Sequence, residues 1–228
     1  MKMISTFFKR FWSSDTSLTV LLTFLVILIF LVYPVYGISY VRLIITILFS
    51  LILVSGVSMV LKKPRLGIAV GIFVFLCILI NGLELFFPDA LALWATLFNF
   101  ICCGLLVIII LSMVFREAHI TLNHVLGAVA AYLLLGLMWA FLYQAVALLS
   151  PEAFKRASIV GVDSINALQK DLIYYSFVTI TTVGYGDIVP VHPFARMLAM
   201  IEALIGQLFP AILLARLVAI EILHSKGQ

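Results

Sequence analysis

The sequence predicts an all-α membrane protein, and three observations carry that reading. Hydrophobic residues make up 65% of the 228 and charged residues 11%, against roughly half and about a quarter in soluble domains. Six runs approach the roughly 20 apolar residues that a spanning helix needs: Leu18 to Tyr36, Leu43 to Leu61, Leu66 to Leu83, Leu91 to Phe115, Leu122 to Leu149 and Met197 to Ile220. Between the last two runs lies an apolar stretch too short to cross, with Gly184 and Gly186 at alternate positions. Such a segment enters the bilayer and returns, and its non-helical backbone survives at that depth only where protein or water satisfies it.

Residues 1–17 come first. Ile4, Phe7, Phe8, Phe11 and Trp12 share one helical face, with Lys2, Lys9 and Arg10 elsewhere. This is the pattern of a short amphipathic helix lying on a membrane surface, or of a frayed end. The first apolar run has no cleavage pattern after it and reads as a retained span.

Residues 18–116 hold four closely spaced runs. Lys62, Lys63 and Arg65 sit between the second and third, Arg116 after the fourth, and Lys226 near the end of the chain. With Lys2, Lys9 and Arg10 they mark one side as cytoplasmic, which places both termini there. The net charge of +4 comes mostly from that side and gives no indication of nucleic-acid binding. Cys77, Cys102 and Cys103 fall inside predicted spans as small packing residues, without a disulfide framework or metal-ligand spacing. Asn81, Glu84 and Asn99 are the polar features of the third and fourth runs. They either pair with one another, or Glu84 lies at the membrane interface near Asp89.

The chain divides at Arg116-Glu117-Ala118-His119, and residues 117–228 form the second unit. Its re-entrant segment begins near Asp171, which is expected in the first turn of a short helix, where a carboxylate favours the positive end of the helix dipole. The negative end then points into the membrane centre. For the carbonyls that follow to face one axis, the backbone must alternate in hand, which glycine does cheaply. Thr182 adds a hydroxyl at the inner end, while Val183 and Tyr185 pack from behind. Successive rings of oxygens can then replace the hydration shell of a cation.

Thr181-Thr182-Val183-Gly184-Tyr185-Gly186-Asp187 resembles the signature of tetrameric six-transmembrane potassium channels. That resemblance implies six spans plus a re-entrant pore helix and selectivity-filter loop. It implies K+ bound at Thr182, Val183, Gly184 and Tyr185, with Gly186 completing the filter, and three further copies of the chain around one pore. The permeant K+ ion is the only ligand implied, and no cofactor; membrane lipids are the other partner. Tyr174 and Tyr175 occupy positions where relatives often carry paired tryptophans. With Thr181 and Asp187 they are expected to support the filter, the tyrosines by hydrogen bonding behind Tyr185.

In the last run, Gly206 resembles the family's hinge glycine and Pro210 follows one turn later; close helix packing is the alternative use of that glycine. Helical spacing from Gln207 gives Pro210, Ala211, Leu214 and Val218 as a cavity-facing stripe, with Leu214 and Val218 as a hydrophobic constriction. Glu202 falls off the stripe and is expected to face the pore helix as a buried acid supporting the filter. An ion-pathway or proton-sensing role is the alternative. Arg216 is also off the stripe and is expected to snorkel to the inner headgroups.

Voltage-gated relatives place basic residues at three-residue spacing on the fourth span, yet Leu91 to Phe115 carries no charge. The expectation is therefore a passive potassium channel without steep voltage gating and without an attached ligand-binding domain. A coupled potassium transporter and a regulatory channel subunit are the alternatives. No enzyme reading arises, since His119, His124, His192 and His224 are scattered. The short connections suit a prokaryotic plasma membrane.

Overall fold

A computed structural model describes residues 14–32, 41–60, 64–115, 122–156 and 165–225. Of the amphipathic segment expected over residues 1–17, only residues 14–17 are described, within the first helix, and the linker Arg116 to His119 lies outside the described residues.

The chain is built almost wholly of helices: α1, Ser14–Val26, continued by a π-helical stretch Ile27–Val32; α2, Val41–Val60; α3, Pro64–Glu84; α4, Pro88–Val114; α5, Leu122–Leu149; α6, Ile165–Ile180; and α7, Pro193–Ser225. Three of them begin on a proline, Pro64, Pro88 and Pro193. The preset φ suits the first helical position, and the missing N–H would be unsatisfied there in any case. Among the described residues four helices are long and apolar enough to cross a membrane: Gly67–Glu84, Pro88–Val114, His124–Leu149 and Pro193–Arg216. Leu18–Phe30 and Arg42–Val57 are apolar but shorter. This is a multi-pass membrane architecture.

α5 is the hub. It packs along α4 and α1 on one side and along α6 and α7 on the other, and Ala130, Ala131, Leu134 and Leu137 on it are almost completely buried. Small residues let its neighbours approach. A Cβ on Gly136 would come within 2.7 Å of the Phe177 ring on α6.

Two features depart from the all-helical expectation and from the expected helix start. Phe154–Arg156 (β1) and Ile188–Pro190 (β2) form an antiparallel pair, with Phe154 opposite Pro190 and Arg156 opposite Ile188. The pairing is extended by the N–H of Val191, which donates to the Ala153 carbonyl at 2.8 Å. It ties the chain just after α5 to the segment after the glycines. In addition, α6 starts at Ile165, so Asp171 lies beyond the first turn and the dipole role expected of it there does not apply. The polar Gln169-Lys170-Asp171 run resembles a loop by composition, yet it is helical.

Candidate functional site: the turn after α6

The site is assembled where α6 ends. Its last carbonyls do not go unused: the N–H groups of Val183 and Gly184 both donate to the Val178 carbonyl, at 3.0 and 3.2 Å, and that of Thr182 donates to Thr179 at 2.9 Å. The Thr181 hydroxyl donates to the Phe177 carbonyl at 2.6 Å. The first amides of the turn are thus directed back onto the helix end. Among the described residues no hydrogen bond reaches the carbonyls of Thr182, Val183, Gly184 or Tyr185.

The backbone alternates in hand. Thr182, Gly184 and Gly186 have φ of 61°, 55° and 79°. Glycine adopts such angles without penalty, whereas a β-branched threonine does so only where its surroundings hold it there, at about 1–2 kcal/mol. The two glycines are legible in the sequence; the strained Thr182 is not. Asp187 turns its carboxylate onto the N–H of the next residue, Ile188, at 3.1 Å. Val183 and Tyr185 are 52% and 72% exposed, so among the described residues little packs behind them.

Behind the turn the structure brings together residues that the sequence left apart. Glu202 on α7 is fully buried. Its Oε2 accepts from the Tyr143 hydroxyl of α5 at 2.5 Å, and its Oε1 lies 2.6 Å from the Ser176 hydroxyl of α6. Ser176 also lies 2.7 Å from the Gly136 carbonyl. One carboxyl therefore joins three helices. Tyr132 of α5 donates to the carbonyl of Ile180, the last residue of α6, at 3.0 Å. Gly206 meets the same carbonyl from α7, where any Cβ would overlap it. α7 runs unbroken through Gly206 and Pro210, an arrangement in which the glycine serves close packing.

The structure bears on three further expectations. Tyr175 is buried against Tyr143 and Phe154, with ring centroids 5.1 and 5.4 Å away, so it stiffens the α5–α6 contact instead of lying behind Tyr185 of its own chain. Tyr174 stays half-buried on α6. Arg216 is engaged within the chain: its Nη2 donates to the Phe115 carbonyl at 2.7 Å, with the guanidinium 4.4 Å from the Phe115 ring centre. It thereby caps the C-terminal end of α4, where a cation is favoured. Asn81 and Asn99 exchange two amide hydrogen bonds, at 2.7 and 3.0 Å, while Glu84 pairs with Arg42 at 3.1 Å and not with either of them.

On α7 the predicted stripe of Gln207, Pro210, Ala211, Leu214 and Val218 is exposed on the single chain, with Leu214 63% and Val218 50% accessible. Among the described residues no group of His, Cys, Asp and Glu is placed to hold a metal ion.

Open carbonyls on a backbone of alternating hand, at the end of a short helix held between two longer ones, present oxygens chemically suited to a cation. The comparisons agree: a family model described as "Ion channel" matches residues 127–221, which supports an ion-channel family for this chain. "Protein LctB" of Bacillus caldotenax and "Protein LctB" of Geobacillus stearothermophilus are each 40% identical over 52 residues, 23% of this chain and 38% of each relative. The chain therefore covers well under half the length of those relatives. No solved structure matches.

Proposed function

We propose that the chain is one subunit of a homotetrameric, potassium-selective channel that conducts passively and without steep voltage dependence. The observation that carries this reading is the backbone from Thr182 to Gly186, whose φ angles are left-handed at alternate residues and whose carbonyls are free of hydrogen bonds among the described residues. Four copies around an axis would stack these carbonyls into rings. K+ would exchange its hydration shell for them, with Thr182 adding its hydroxyl at the inner end. Dehydrating a bare ion in a low-dielectric medium is otherwise prohibitive.

Support for several copies comes from the exposure of Val183, Tyr185 and the outward face of α7. Gln207 offers a neutral amide to a water-filled cavity, and Leu214 with Val218 would form the inner constriction. Glu202, with Tyr143 and Ser176, holds the filter-bearing helix in place. α1 and α2 would bring the spans to six, with both ends at the cytoplasmic face of a plasma membrane. Weak voltage coupling follows from α4, which has no basic residue in its last turn and no Lys or Arg along its length.

The test is flux through the purified protein in liposomes under a potassium gradient at set membrane voltages. Downhill K+ movement that needs no second ion and varies little with voltage is the expected result. Movement that requires a co-transported or counter-transported ion would replace the channel by a coupled transporter.

A further inference from the structure

A cavity opens between the first four helices and α5–α6. Its polar lining includes Arg42, Thr46, Asn81, Glu84, Thr96 and Asn99 from the first unit and Gln144 and Gln169 from the second, and Phe49 and Phe141 form part of its apolar wall. Most of the polar lining is already engaged: Arg42 with Glu84, Asn81 with Asn99, and the Thr46 hydroxyl with the Arg42 carbonyl at 3.0 Å. Gln144 and Thr96 differ. Each is only 3% exposed, and neither side chain makes a hydrogen bond among the described residues. Their polar atoms are also not among the sealed, partnerless ones, so they face the cavity.

A buried primary amide left unpaired is costly, and a hydroxyl adds a similar demand. The cavity has room for the centres of water-sized guests over about 60 Å3, enough for about four waters. The charge of the lining limits what else can enter. The Arg42 guanidinium disfavours cations, the Glu84 carboxylate disfavours anions, and the two neutralise each other at 3.1 Å. A suitable guest is uncharged and both donates and accepts hydrogen bonds.

We propose that this cavity is a hydrated binding chamber for small uncharged hydrogen-bonding molecules, water first among them, held by Gln144 and Thr96. Its place between the first unit and α6, which it touches through Gln169 and Ile173, gives a guest contact with both halves of the chain. The site stands independently of which ion the pore conducts.

Radiolytic hydroxyl labelling of the wild-type protein in detergent tests the hydration directly, since buried aromatic rings react only beside ordered water. Phe49 and Phe141, each 5% exposed, should label several-fold faster than Tyr143, which is fully buried away from the cavity. Labelling of both rings as slow as that of Tyr143 would overturn the proposal. The charge selectivity is tested with Gln144→Cys, using the wild type, whose Cys77, Cys102 and Cys103 are buried, as the background. Iodoacetamide should alkylate the new thiol at least several-fold faster than iodoacetate does, after correction for their rates with free cysteine. Equal corrected rates would overturn the uncharged-guest assignment.

Discussion

α5 and α7 are similarly apolar, yet 61% of the spanning part of α5 is buried within the chain and only 17% of that of α7. α5 meets the chain's own helices on nearly every side. α7 touches its own chain mainly through Ala195, Leu198, Glu202 and Gly206 and leaves the rest outward, including the polar Gln207. Lipid would suit Leu204, Leu208 and Ile212, but an amide facing hydrocarbon is costly. Apolarity alone therefore does not tell a helix buried within its own chain from one that leaves most of its surface outward. Gln207, a polar residue midway along the exposed face, makes the distinction.

Substitutions on the two helices should separate accordingly. Leu134→Ala, at a fully buried position of α5, should destabilise the subunit by about 2–5 kcal/mol, read as a fall in melting temperature in detergent. Glu202→Ala strips the acceptor from Tyr143 and the partner from Ser176 and leaves a void, for a loss of about 2–4 kcal/mol. Glu202→Gln should recover most of that. Ser176 has one hydroxyl proton for two neighbours, and an amide N–H given to Ser176 frees that proton for the Gly136 carbonyl. A glutamine variant as unstable as the alanine one would show that the charge, and not the bonding pattern, matters.

Gly206→Ala lies where α7 meets α6 and should cost about 1–3 kcal/mol through overpacking against the Ile180 carbonyl, with a loss of flux beyond the loss of folded protein. Normal stability together with altered gating would return Gly206 to a hinge role. The smallest effect on stability is expected for Leu214→Ala and Val218→Ala on the outward face of α7: a melting temperature near wild type, but changed conductance or open probability. A large drop in stability without a change in flux would mean that this face packs within the subunit.

The long apolar helices, the short helix before the glycines and the left-handed glycines themselves are legible in the sequence because each is local: a length, a shortness, a residue type that a conformation demands. The carboxyl-centred junction is not. Glu202 stands out as a lone acid in a span, but Tyr143, Ser176 and Gly136 look like ordinary span residues, and their partners lie 26 to 59 positions away. Tyr132 offers only the weak signal of a hydroxyl in an apolar run. The start of α6 at Ile165 is hidden by polar composition. The β1–β2 pairing is too short for any alternation to show, and Arg42 finds Glu84 only once α2 and α3 are packed.

The central claim is that the Thr182 to Gly186 backbone selects potassium. Reversal potential in a planar bilayer with potassium on one side and sodium on the other tests it most directly. The account predicts a reversal displaced far toward the value set by potassium alone, and a reversal at zero would contradict it.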